Sequence, residues 1–291
     1  MSRTVAARTI TANGIAQHVA AAGDPSAPAV LLIHGLGWDG DLWAPQLEAL
    51  ATAGRLAIAP DLRGMGRTEK PDAPYTIDLY AEDMAALLEA LGVARAAVVG
   101  FSLGGIIAMR LAQRWPDRVG AAIFACCGAV SSPETEAGVE AMLMRAEGLG
   151  PRGFAEEQGT AVWHPDWAAA HPQAVADFVD WRTGMDQAAL HRAFRSPFGY
   201  DLRDALPGIS VPSRVIAASD DAFLPVMAAE AIAASLPHAD LVVIEGAGHM
   251  CSIEQPAAFD AALHGFLDRA WPALRPPLRP SLRPPRQEVV E

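Results

Sequence analysis

Gly100-Phe101-Ser102-Leu103-Gly104 stands where the apolar strand pattern from Ala96 to Val99 gives way to a helical pattern from Leu103 to Arg114. A serine at a sharp strand-to-helix turn takes a strained backbone conformation, and the residues two before and two after it must be small for the chain to double back. Gly100 and Gly104 meet that demand. The same turn sets the Leu103 N–H at the head of a helix, where partial positive charge favours a developing oxyanion. A glycine-rich turn with an incidental serine would satisfy the pentapeptide equally well, so the rest of the chain has to decide.

A serine hydroxyl is a poor nucleophile until a base takes its proton, and the base needs an acid to orient it. Among eight histidines, His249 lies in Gly246-Ala247-Gly248-His249-Met250, just after the buried-strand pattern Leu241-Val242-Val243-Ile244. A glycine-lined loop at a strand end can aim an imidazole into a cleft. Upstream, the short apolar strand Ser213 to Ala218 runs into Ser219-Asp220-Asp221-Ala222-Phe223-Leu224-Pro225, which offers an acid just past the strand. A fourth element, Leu31-Leu32-Ile33-His34-Gly35-Leu36-Gly37-Trp38, ends an apolar strand in a loop whose Leu36 N–H is a candidate second oxyanion donor.

With His34-Gly35-Leu36-Gly37, Pro60-Asp61-Leu62-Arg63-Gly64-Met65-Gly66-Arg67-Thr68, Gly100-Phe101-Ser102-Leu103-Gly104 and Gly246-Ala247-Gly248-His249 in that order, the chain resembles the α/β-hydrolase superfamily from about Ala29 to Ala270. Within it, the likeness is to the branch holding 3-oxoadipate enol-lactonases, small carboxylesterases and cofactor-free haloperoxidases. The resemblance implies an α/β fold of the hydrolase type, with a mainly parallel eight-stranded sheet flanked by helices and an inserted helical cap. It implies Ser102 as nucleophile, His249 as base, Asp221 as acid, Leu36 and Leu103 as oxyanion donors, and neither cofactor nor metal. Relatives commonly carry a proline four residues after the acid, as Pro225 follows Asp221; Asp220 stays open. The Asp-x-Arg-Gly-x-Gly stretch looks structural in the family.

The implied activity is cleavage of small carboxylic esters through an acyl-enzyme. Enol-lactone hydrolysis, haloperoxidase or perhydrolase chemistry and a small-molecule receptor role are the alternatives. Haloalkane dehalogenation is disfavoured, because relatives doing it have an aspartate where Ser102 stands. A dicarboxylate-like lactone would need a basic residue beside Ser102; Arg145, Arg152, Arg182, Arg192 and Arg195 fall in the cap, and spacing singles out none of them. His34 reads as a structural hydrogen-bonding group, and His164 and His171 lack metal-ligand spacing.

The 291 residues, 51% hydrophobic, suit one large α/β domain with an insertion. A net charge of −12 argues against a nucleic-acid partner. Three cysteines, Cys126, Cys127 and Cys251, do not describe a disulfide framework and fit a reducing compartment. Residues 1–8 lack the apolar run of a secretory signal, and no later segment reaches membrane-spanning length, so a cytoplasmic location is expected. A small ester or lactone is the expected partner, with no membrane partner and with homo-oligomer formation left open.

Asn13-Gly14 predicts a tight hairpin, after which strands and helices alternate. Strands are expected at Ala29 to His34, Leu56 to Pro60, Ala96 to Gly100 and Val119 to Cys126, with helices near Leu42 to Thr52, Ile77 to Leu91, Leu103 to Arg114 and Gln255 to Arg269. Such alternation predicts a parallel sheet covered on both faces, with ligands at the strand carboxyl ends. Residues 1–130 and 201–270 are expected to form the core. Residues 131–200, broken by Gly148, Gly150, Pro151 and Gly153 among others, are expected to form a helical cap. Its Trp163, Trp167, Phe178, Trp181, Phe194 and Phe198 are read as packing more than as pocket lining. Residues 271–291, rich in Leu-Arg-Pro steps, are expected to be extended or disordered.

Overall fold

The computed structural model describes residues 5–274, with side chains placed through Ala270. It opens on a hairpin, β1 (Ala6–Ala12) and β2 (Ile15–Ala22), closed by Asn13 at φ 48° and Gly14 at φ 74°. Both turn residues have positive φ, as a type I′ turn demands. The parallel strands follow: β3 (Ala29–Ile33), β4 (Leu56–Pro60), β5 (Ala96–Phe101), β6 (Val119–Ala125), β7 (Ser213–Ala218) and β8 (Ala239–Ile244). The sheet order is β1-β2-β4-β3-β5-β6-β7-β8, with β1 and β2 antiparallel to their neighbours.

The helices are α1 (Ala44–Thr52), α2 (Ile77–Ala90), α3 (Leu103–Arg114), α4 (Pro133–Val162), α5 (Pro165–Ala170), α6 (Pro172–Thr183), α7 (Gln187–Arg195), α8 (Val226–Ser235), α9 (Cys251–Glu254) and α10 (Pro256–Leu274). Continuous apolar runs such as Ala29–Ile33 serve both faces, because successive side chains alternate. Leu31, Ile33 and Val98 pack with Tyr80 and Met84 of α2, Ile107 and Leu111 of α3 and Ile232 of α8. Val30, Leu32 and Val99 pack on the other face with Leu47 and Leu50 of α1 and Phe259 and Leu263 of α10. The order β4-β3-β5 reverses chain direction across the sheet at β3, which opens a crevice between the carboxyl ends of β3 and β5.

The crossing of α3 over that crevice depends on bare glycine. A Cβ on Gly104 would fall 2.2 Å from the Ile33 carbonyl oxygen, and one on Gly100 would fall 2.1 Å from that of Gly104. Both obstacles are backbone, so no side chain can yield. Gly104→Ala is therefore expected to destabilise the fold by about 1–3 kcal/mol and to displace the start of α3. A lowered urea midpoint with unchanged slope is the measurement; an unaltered midpoint would contradict the tight approach.

Between β6 and β7 the described chain makes α4 to α7. Its two ends meet at the core, where Val130 bridges Asp201, Ser131 N–H donates to Tyr200 O at 3.0 Å and Leu202 N–H donates to Ala129 O at 2.8 Å. Pro165 and Pro172 open new helices and Gly184 caps the end of α6, but the stretch from Gly148 to Gly153 breaks only once. Gly150, at φ 69° and ψ 173°, kinks α4, while Gly148 and Gly153 keep helical dihedrals. Pro151 restarts the helix at a first-turn position, where its missing N–H has no intrahelical partner to lose. At the other end α10 continues to Leu274, past the compositional change at Trp271. The expected tail lies, from residue 275 onward, outside the described residues.

Candidate active site

Ser102 follows β5 directly, with φ 54° and ψ −118°, a conformation that costs a non-glycine residue on the order of 1–3 kcal/mol. Neighbouring structure holds it there: Ser102 N–H donates to Ala125 O at 2.8 Å, and Ser102 O accepts from Gly105 N–H at 2.8 Å. The turn leaves Leu103 as the first residue of α3, with its N–H among those a helix start cannot use internally.

His249 and Asp221 reach the same point from the ends of β8 and β7. His249 Nε2 lies 3.0 Å from Ser102 Oγ, and His249 Nδ1 lies 2.8 Å from Asp221 Oδ2. Asp221 Oδ1 accepts from Phe223 N–H at 2.9 Å and Leu224 N–H at 3.0 Å, so this buried carboxylate has bonds on both oxygens. A carboxylate only accepts, so Nδ1 carries the proton and the Nε2 lone pair faces the serine hydroxyl. The rings of Phe101 and Phe223 flank the imidazole at centroid distances of 5.1 and 5.2 Å. Asp220 is not brought in: it is exposed and takes its hydrogen bond from Ser219 Oγ, and the His164 ring stands 4.0 Å away.

The Gly35-Leu36 loop after β3 forms the facing wall. A Cβ on Gly35 would stand 3.2 Å from Ser102 Cβ, and Leu36 and Ser102 line one cavity of about 580 Å³. His34 does not line it. It is fully buried, donates from Nδ1 to Gly35 O at 2.7 Å and accepts Leu62 N–H on Nε2 at 2.9 Å. Burial pushes its pKa down to about 4, which keeps it a neutral brace between the two loops. The Asp-x-Arg-Gly-x-Gly stretch is likewise a scaffold: Asp61 accepts from Gly40 N–H and Arg67 N–H at 2.9 and 2.7 Å, and Arg63 pairs with buried Asp83.

The wall also includes Trp38, Phe101 and Phe223 of the core, with Met142, Arg182, Phe194 and the paired Arg145 and Glu157 of the helical segment. Of the six aromatics expected in that segment, only Phe194 lines the cavity. Trp163, Trp167 and Phe178 pack together instead, with Trp38 meeting Trp163 and Phe178 edge-on or tilted. A hollow of similar size, about 620 Å³, is ringed by Asp39, Asp41, Arg67 and Asp180 and holds none of the three convergent residues. His171 stacks on Trp167, and His164 accepts Asp166 N–H as a helix cap. Among the described residues no three His, Cys, Asp or Glu side chains are grouped to hold a metal ion.

Two residues have no sequence signal that singles them out. Glu254, buried on the single turn α9, accepts Gly248 N–H at 2.8 Å and Met250 N–H at 3.0 Å, so it brackets His249 from both sides. It also accepts His164 N–H at 3.0 Å, which ties the helical segment to the histidine loop. Arg182 is buried against the Leu36 loop. Neither position stands out by spacing, because each matters only through loops from distant parts of the chain.

The alpha/beta hydrolase family profile matches residues 30–262. A protein of Variovorax paradoxus (strain S110) named putative carbamate hydrolase RutD is 32% identical over 255 residues, covering 87% of this chain and 96% of its own. The structure of the enol-lactonase from Burkholderia xenovorans LB400 is similar at a TM-score of 0.84 and 28% identity, over 90% of this chain and 100% of that one. A thermophilic esterase from Thermogutta terrifontis is similar at 0.83 and 28% identity, over 91% and 99%. Among the described residues no helix is long and apolar enough to cross a membrane.

Proposed function

Because the chain belongs to the alpha/beta hydrolase family, we propose that it cleaves small carboxylic esters through a Ser102 acyl-enzyme, with His249 as base and Asp221 as its orienting acid. The observation that carries this reading is the unbroken relay from Asp221 Oδ2 to His249 Nδ1 at 2.8 Å and from His249 Nε2 to Ser102 Oγ at 3.0 Å. His249 takes the hydroxyl proton as Oγ attacks the ester carbonyl, and Asp221 stabilises the imidazolium that forms. The N–H groups of Leu36 and Leu103 hold the tetrahedral oxyanion, the second of them aided by the α3 dipole. Collapse of the intermediate transfers the proton from Nε2 to the leaving alkoxide. Water then repeats the attack on the acyl-serine, and the carboxylic acid leaves.

A lactone is the second substrate class, supported by the enol-lactonase structure at 28% identity. Ring opening uses the same steps, with the alkoxide remaining tethered to the acyl group. The relative named a carbamate hydrolase adds a third carbonyl type for comparison. Its nitrogen donates into the carbonyl and makes attack harder, so an ester optimum and a carbamate optimum separate in a substrate panel.

A fluorophosphonate tests the nucleophile. It is expected to add once, on the peptide carrying Ser102, and to fail on His249→Ala, with mass spectrometry as the readout. Multiple turnover of p-nitrophenyl acetate and butyrate is expected beside the labelling. Labelling without turnover would favour a receptor, and labelling elsewhere would overturn the assignment.

A further inference from the structure

Five arginines of the helical segment are candidates to face the cavity, and four of them already have acids. Arg145 pairs with Glu157 at 2.7 Å, Arg152 with Asp180 at 2.9 Å, Arg192 with Asp72 at 2.8 Å and Arg195 with Glu140 at 2.6 Å. Arg182 alone of the five has no carboxylate within ion-pair distance among the described residues, yet it is only 4% exposed. Its Nε donates to Gln158 Oε1 at 2.8 Å, and Nη1 reaches Leu36 O at 3.5 Å and Met185 Sδ at 4.0 Å. Nη2 has no acceptor among the described residues. Burial lowers the pKa of Arg182 to about 10, so at neutral pH it remains a cation.

The fold makes room for this cation. Gly37, at φ 68°, has the guanidinium directly over its α-carbon: a Cβ there would come within 1.1 Å of Arg182 Nη1. The group is thereby wedged against the loop whose Leu36 faces Ser102, and it lines the same cavity. The guanidinium also lies over the Phe178 and Phe194 rings at 5.5 and 5.7 Å. Rings and neutral oxygens leave its full charge without a counter-ion, and its planar fork matches a carboxylate with two parallel hydrogen bonds.

We propose that Arg182 is the anion-binding residue of this cavity and that the substrate is a small ester or lactone bearing a free carboxylate, held by the guanidinium while its acyl carbonyl meets Ser102. The proposal rests on the serine-hydrolase reading above and narrows its substrate class. The ligand carboxylate supplies the counter-charge that the protein withholds. With a net charge of −12 the molecule repels anions at long range, so capture depends on this local pair.

Monomethyl and dimethyl glutarate differ in one negative charge and share the scissile ester. Wild-type protein is expected to favour the monoester in kcat/KM. Arg182→Gln is expected to lose about 30-fold or more on the monoester, the effect of removing one partner of a buried charge pair, while the dimethyl ester changes much less. Arg182→Lys is expected to recover part of the preference, because it restores charge without the fork. Equal loss on both esters would overturn the proposal and leave Arg182 a brace for the Leu36 loop.

Should Arg182→Gln fail to fold, wild type and Ser102→Ala still decide. Calorimetry with succinate, glutarate and adipate on Ser102→Ala reads the anion site without chemistry, and binding of at least one that weakens with added salt is expected. If none binds and wild type prefers the diester, the proposal fails. Retained ester turnover in Ser102→Ala would instead sink the serine-hydrolase reading, so the two failures are distinct.

Discussion

Ser102→Ala is expected to lower kcat by about four to six orders of magnitude, with a small change in KM for any ester the protein turns over. In the proposed mechanism the hydroxyl oxygen forms the bond in the first step, and it is the group that stands 3.0 Å from His249 Nε2. The residual rate would come from binding and from the backbone donors. Alanine does not relieve the strain at φ 54°, because its Cβ meets the same backbone, so the melting temperature is expected to stay close to that of wild type. Ser102→Gly separates the two effects. It should be equally inactive but more stable by roughly 1 kcal/mol, since glycine tolerates that conformation. Near wild-type turnover by purified Ser102→Ala would refute the nucleophile assignment.

Asp221→Asn is expected to reduce kcat by about four orders of magnitude, while Asp220→Asn leaves it within roughly threefold. The asymmetry follows from hydrogen-bond direction. Oδ1 of Asp221 is fixed as an acceptor by the N–H groups of Phe223 and Leu224, so the asparagine oxygen must take that place. Its NH2 group then faces His249 Nδ1, which can respond only by becoming an acceptor. The proton moves to Nε2 and points at Ser102 Oγ, where a base is needed. Asp220 touches neither group: its carboxylate is exposed and bonded to Ser219. Steady-state rates for both variants on p-nitrophenyl butyrate decide the matter, and a larger loss for Asp220→Asn would reverse the assignment.

Most of the architecture was legible because short-range rules govern it. Asn13-Gly14 has the dihedral tolerance of one turn type, and runs such as Leu56–Pro60 and Ser213–Ala218 became the strands that their apolar character predicts. The helical segment is less legible. Pro165, Pro172 and Gly184 do mark helix boundaries, but among Gly148, Gly150, Pro151 and Gly153 a helix excludes only the dihedral it cannot adopt, and Gly150 alone takes one. The aromatics there carried no mark of direction, and packing took Trp163, Trp167 and Phe178 away from the cavity.

By itself the sequence determined the alternating α/β order, the strained serine turn and the glycine-lined histidine loop, because each is a local matter of backbone tolerance and hydrophobic period. Only the tertiary structure brought Asp221 and not Asp220 to His249, placed Glu254 around that histidine and left Arg182 without an acid among the described residues. These outcomes depend on which side chains meet across segments far apart in the chain, and on the low-polarity surroundings their meeting creates. Neither has a counterpart in the spacing of residues along one strand or helix.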